Sequence, residues 1–180
     1  GDHFTQGPFR IRVVESRHAK VIFGQVPLPG EILSPPTAPI HALSFKLGGA
    51  LGYLITHRPT GLRMYFLSSA ATHPAALETL RQHGIKNVDI LLPSIAGRDE
   101  EFVRTLLTAL RPRVVVPHHF DDFTQPLDQA DTVHLRQADL VGFEDEVRTI
   151  AKEIGLNVTL HRPTALAEFT LSDLIPTEAK

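Results

Sequence analysis

Arg113 to Phe123 reads RVVVPHHFDDF, a hydrophobic strand that runs straight into polar groups. Val114, Val115 and Val116 are β-branched and suit a buried strand. Pro117 cannot donate to a ladder and ends the run. Two histidines and two aspartates occupy four of the next five positions. An α/β enzyme presents ligands or acid–base groups in this way, because the sheet is rigid and the loop beyond it is exposed. Imidazole binds zinc, iron and manganese, and carboxylates share the metal or orient the imidazole. The other open reading is a polar loop with surface histidines, in a chain that carries 10 of them.

The chain has 180 residues, enough for one domain with a real core. Its apolar share of 42% and charged share of 21% are those of an ordinary globular protein. A net charge of −2 gives no strong field toward nucleic acid or anionic lipid. Cysteine is absent, which excludes disulfides, thiolate zinc sites and a Cys nucleophile and leaves the compartment open. No run approaches a membrane span, and no signal peptide is visible. The start, GDHFTQGPF, has no Met and opens in mid-turn. The expectation is that an upstream part of a longer protein is missing.

In chain order, Phe9 to Glu15 (FRIRVVE) predicts a strand, followed by Ser16, Arg17 and His18. His18 thus also sits just past a strand end, where a loop histidine and a ligand are both open readings. Gly24 to Pro39 holds five prolines and two glycines and predicts a long loop anchored by Val26, Leu28, Ile32 and Leu33. His41 to Leu47 and Ala50 to Thr56 are apolar runs flanking Gly48 and Gly49, a strong hairpin signal. Leu62 to Leu67 (LRMYFL) predicts a third strand of that meander. A short helix over Ala75 to His83 takes Thr72 or His73 as N-cap and Pro74 at its first position.

The grammar then alternates. Val88 to Leu92 predicts a buried strand that ends at Pro93. Arg98 to Leu110 predicts an amphipathic helix with Asp99, Glu100 and Glu101 in its first turn. After the valine strand, a crossing over Gln125 to Asp131 leads to a helix from Phe143 to Ile154, stopped by Gly155. Asn157 to His161 predicts a further strand, and Thr164 to Leu171 one more. The fold class is α/β or α+β in a single domain, with strands facing one layer of helices. One sheet so covered leaves its other face to water. Val13, Leu43, Phe45 and Leu47 are its candidates, and a missing half, a second copy or a partner is expected to cover it.

Taken in order, VVESRH, the hairpin strands, TGLRMYFLSS, VDILLPSIAG and LRPRVVVPHHFDDF resemble the metallo-β-lactamase superfamily of metal-dependent hydrolases. They look like its C-terminal portion, the sheet-and-helix half of an αββα sandwich, matched over about Gly1 to Phe123 at motif level. The resemblance implies that His18, from the V-x-S-x-H pattern, and His119, from the P-x-H pattern, are metal ligands. His118, Asp121 and Asp122 become candidates for the catalytic surroundings, and His73 for a further contribution. Asp121 and Asp122 read equally well as caps of the following turn. The implied cofactor is a divalent metal, zinc first, with manganese or iron as alternatives.

Two departures stand out. Where the family strand runs into Gly-Asp, whose carboxylate bridges two metals, this chain has Ser68 and Ser69. The H-x-H-x-D-H motif is absent from these residues. The function the resemblance implies is hydrolysis of a small-molecule substrate, an ester, lactone, amide or phosphodiester, by a metal-activated water. Two other readings stay open: an inactive binding or interaction module of the same fold, and an unrelated α/β domain whose histidines are incidental. Asp89, His3, His41, His57, His83, His134 and His161 are read as structural or surface residues.

Overall fold

The structure is a computed structural model that describes residues 2–20, 24–35, 41, 44–122, 124–126, 134, 135, 138–164 and 167–174. Seven strands form one sheet in chain order: β1 (His3–Gln6), β2 (Phe9–Ser16), β3 (Ala50–His57), β4 (Arg63–Leu67), β5 (Ile90–Pro93), β6 (Val114–Val115) and β7 (Thr159–Leu160). The first four pair antiparallel, and β4 to β7 pair parallel. Parallel neighbours need crossovers. These are α1 (Pro74–Gln82), α2 (Phe102–Leu110) and α3 (Leu140–Glu153), and a short α4 (Leu171–Leu174) follows β7. The architecture is α+β, a mixed sheet with helices.

The three crossover helices bury one stripe each on the same side of the sheet. Phe102, Val103, Leu106, Leu107 and Leu110 of α2 recur at helical spacing and are buried. They join Ala76 and Leu80 of α1 and Phe143, Val147 and Ile150 of α3 over a sheet row of Leu54, Tyr65, Leu91 and Val115. Helix ends are specified locally. The His73 ring accepts from Ala75 N with Pro74 next in sequence, and the Asp139 carboxylate accepts from Gly142 N at 2.9 Å. At the far end of α3, Gly155 has φ 60°. Its N–H donates to Lys152 O at 3.3 Å and that of Leu156 to Ala151 O at 2.8 Å, a Schellman stop.

The opposite face carries its own apolar rows. Strand registers align Phe4, Ile11, Ile55, Met64, Ile90 and Val114 across six strands. A second row aligns Val13, Tyr53, Phe66 and Leu92. Leu174 packs on Ile90, Val114 and Val116 and buries that end. From β4 back to β1 the rows stay half-buried, and Phe4 is 50% exposed.

Several expectations are corrected. Gly48 and Gly49 do not close a hairpin: described residues 44–49 form no strand, and β3 pairs with β2 and β4. Leu47 N and Gly48 N bond instead to Leu28 O and Gly30 O, at 3.1 and 3.0 Å. The glycine pair is a local signal, whereas an eight-residue register with β2 buries Val14 and Leu54, and burial decides. Phe45 and Leu47 therefore lie in a loop rather than on the open face, and Leu43 lies outside the described residues. No strand forms over the described part of 164–171, where α4 begins instead. Of the crossing 125–131, only 125 and 126 are described.

Helix α2 starts at Phe102, so its three acids precede it, and Asp99 O accepts from Phe102 N at 3.2 Å. Helix α3 starts three residues before the expected Phe143, because exposed Val141 and Gly142 hide its first turn from periodicity. Strand β5 starts at Ile90, and the Asp89 carboxylate accepts from Arg63 N at 2.8 Å, the structural role expected of it. The opening residues form the β1–β2 hairpin around Gly7, at φ 55°.

Two measurements check this account. A Cβ on Gly155 would meet nothing within 4 Å, so Gly155→Ala carries only the left-handed backbone penalty. Urea unfolding should show a loss of about 1–2 kcal/mol. Gly49→Ala, with ordinary φ and open space, should stay within about 0.5 kcal/mol of the parent. Burial pushes the Tyr65 phenol up to about 12. Above pH ~10 the unfolded chain then ionises first and binds fewer protons, so stability falls as pH rises. Tyr65→Phe should remove that alkaline decline, worth up to about 2–3 kcal/mol. An unchanged alkaline slope in the variant would contradict the assignment.

Candidate functional site

Strand direction builds the site. Because β3 runs antiparallel to both β2 and β4, β2 points the same way as β4, β5 and β6. The residues that leave these strands therefore gather at one edge: His18 after β2, Ser68 and Ser69 after β4, Ser94 after β5, and His118 and His119 after β6. The carboxyl edge of parallel strands is where α/β sheets generally bind ligands.

Hydrogen bonds stitch these exits together. Ala19 N donates to Ser69 Oγ at 2.8 Å, joining the loop after β2 to that after β4. The His18 Nε2 donates to Gly48 O at 3.0 Å. Ser68 Oγ donates to Leu51 O at 2.6 Å. His118 Nε2 donates to Leu67 O at 2.9 Å, and its ring stacks on Phe66 with centroids 4.6 Å apart and planes 8° from parallel. Burial holds this imidazole below its ordinary pKa, and the neighbouring His119 adds to the effect, while the Leu67 carbonyl opposes it.

His119 differs from its neighbour. Its Nδ1 lies 3.1 Å from Ser94 Oγ, a hydroxyl only 1% exposed, so Nε2 is not needed for that bond. Its φ is 58°, a left-handed conformation uncommon outside glycine. The bridge between Ser94 and His118, with bonds from His118 N to Pro93 O at 3.0 Å and from Ile95 N to His118 O at 3.2 Å, holds the backbone just before His119. Strain of this kind persists where the surroundings over-determine it.

The other candidates are elsewhere engaged. The His73 Nδ1 caps α1 at 3.1 Å from Ala75 N, and its Nε2 lies 3.9 Å from Glu15. Asp122 Oδ1 accepts from Thr124 N and Oγ1 at 3.0 and 2.7 Å, the turn-capping role. Those bonds, led by the hydroxyl, hold its carboxyl below the usual range. Asp121 forms a backbone bridge with His134. Sequence reasoning missed Ser94, although it directly follows the strand-ending Pro93 and that position was its signal. It also missed the Leu67 and Gly48 carbonyls, which no side-chain pattern encodes.

A catalytic zinc site needs about three protein ligands. Among the described residues no three His, Asp or Glu side chains come together to hold a metal. The buried side-chain atom without a partner among them is the neutral Ser16 Oγ, a poor ligand. These residues by themselves do not fit a metal centre.

The His119 backbone supplies a direct test. His119→Ala and His119→Gly both lose the Ser94 bond, but only glycine relieves the left-handed conformation. Denaturant unfolding should find the glycine variant more stable by about 1 kcal/mol. Equal stabilities would remove the strain from the account.

No protein-family model matches the chain, and no curated protein matches it. Among solved structures it is similar to one described as a zinc-dependent hydrolase of the metallo-β-lactamase superfamily, from Thermotoga maritima. The identity is 15% and the TM-score 0.41, over 69% of this chain and 48% of that one. It is also similar to unliganded yeast PDE1, at 10% identity and TM-score 0.46, over 90% of this chain and 46% of that one. The chain spans about half the length of each of these chains.

Proposed function

We propose that this chain is the C-terminal portion of a metal-dependent hydrolase of the metallo-β-lactamase fold, acting on an ester, lactone, amide or phosphodiester. What supports the reading is that His18 and His119 both leave strands that end at the carboxyl edge, each with one ring nitrogen hydrogen-bonded to the fold. In this reading both histidines are ligands to a divalent metal, zinc first, and the remaining ligands come from outside these residues. Ser94 fixes the His119 ring so that Nε2 is offered to the metal. His118, stacked and bonded to Leu67 O, positions its neighbour rather than reacting. Asp121 and Asp122 shape the loop. Ser69, whose oxygen accepts from Ala19 N, supplies a structural bond where a bridging carboxylate would stand.

The half-buried face of β1 to β4 supports the same reading. A part of the protein that covers this face and carries the missing ligands satisfies both requirements with one packing event. Elemental analysis of these residues and of the longest natural form of the chain tests it. The long form should hold stoichiometric metal. His119→Ala should abolish it, and Ser94→Ala should weaken metal affinity by about 10–100-fold. A long form without metal, or metal indifferent to His119→Ala, would favour a fold-retaining binding module instead.

A further inference from the structure

At the opposite end of the sheet, three arginines share one cleft. Register places Arg10 beside Thr56 and Thr56 beside Arg63, and Arg12 lies two residues along β2 on the same face. This is the helix-bearing face, where α1 has already ended and His83 caps it. Arg10, Arg12, Leu54, Thr56, Arg63, His83 and Ile85 line a cleft of about 240 Å³. No carboxylate is among them.

Arg81, Arg98, Arg104, Arg113, Arg148 and Arg162 each stand against an Asp or Glu. Among the described residues, Arg10, Arg12, Arg17, Arg58, Arg63 and Arg111 have no such partner, and of these Arg10, Arg12 and Arg63 line one cleft. The Arg12 guanidinium donates instead to His83 Nε2 at 2.9 Å, a neutral acceptor. Asp89, which follows in the same row, accepts from the Arg63 backbone N–H and faces Arg113 at 3.8 Å. Three guanidiniums on β2 and β4, with the Thr56 hydroxyl on the intervening β3 and no carboxylate lining the cleft, match the planar forked donors that bind phosphate oxygens.

The geometry points to an anion site here, for inorganic phosphate or the phosphate group of a small phosphorylated molecule. Arg10 and Arg63 grip from two sides, and Arg12 is steered by His83. Ser16 lies six residue steps along β2 from Arg10, so the site lies roughly 20 Å from the carboxyl edge and is distinct from it. Partial desolvation and the Arg12 charge both hold the exposed His83 ring below its ordinary pKa.

Titration of the full chain with inorganic phosphate and with glycerol phosphate, at constant ionic strength and followed by calorimetry and the His83 ring NMR signals, tests the site. Saturable binding is expected, with Kd on the order of 1 mM or tighter. Arg10→Gln and Arg63→Gln should each weaken it by at least about tenfold, and Arg10→Lys by less, because the charge remains. Folding of each variant is checked by circular dichroism. A preference for glycerol phosphate would identify a phosphorylated metabolite as the source, and equal affinity the free ion. No saturable binding of either probe, or binding unchanged in the folded Gln variants, would overturn the proposal.

Discussion

Strand β4 pairs antiparallel with β3 on one side and parallel with β5 on the other, and the candidate site follows from that change of direction. The antiparallel meander returns β2 to the direction of β4, and the parallel half adds β5 and β6. Four strand exits therefore share an edge, although they are up to 100 residues apart in sequence, from His18 to His118. Leu67, the last residue of β4, accepts from His118, and Ser69 just beyond it accepts from Ala19. Shifting β4 by one residue would exchange its faces, putting Tyr65 and Leu67 on the open side and Met64 and Phe66 under the helices. It would also remove the stacking surface of His118.

The sheet meets two different environments. Under the helices, Leu54, Tyr65, Leu91 and Val115 are almost wholly excluded from water, and the Tyr65 phenol stays neutral well into the alkaline range. On the other face, among the described residues, burial is complete where Leu174 reaches Ile90, Val114 and Val116. The gradient runs along the sheet, from closed at β6 to open at β1. Apolar rows of this continuity are expensive to leave in water, at roughly 25 cal/mol per Å², so the open portion is a surface that association would stabilise.

Much of this was legible from residues whose local physics is strong. Three valines before Pro117, the His73–Pro74 cap and the Gly155 stop each act over a few residues, and each is found in the structure as read, though β6 is only two residues long. Readings failed where distance decides. The Gly48–Gly49 signal lost to the register with β2, more than 30 residues away, which no local pattern encodes. The start of α3 was hidden because exposed Val141 and Gly142 blur its first turn. At the site, the sequence offered histidines and aspartates by type. The partners of the three histidines are Ser94 Oγ and the carbonyls of Gly48 and Leu67, and carbonyls carry no residue signature.

Charge is where the average misleads most. A net charge of −2 describes a nearly neutral chain, yet the charges are sorted by position. On α3 and the elements around it, Glu144 binds both Arg148 and Arg162, and Glu146 and Glu153 hold Arg98 and Arg104, so positive charge is cancelled locally. At the starts of β2 and β4 it is not. Alternation along β2 explains how this arises: Ile11 and Val13 face the apolar rows, so Arg10 and Arg12 must face the helix side. Because α1 ends at Gln82 with His83 as its cap, Arg10 stays exposed and Arg12 half-buried against the His83 ring. A strand that had to present apolar residues to one face thus left concentrated charge on the other, and the end of one helix decided that this charge would line a cleft.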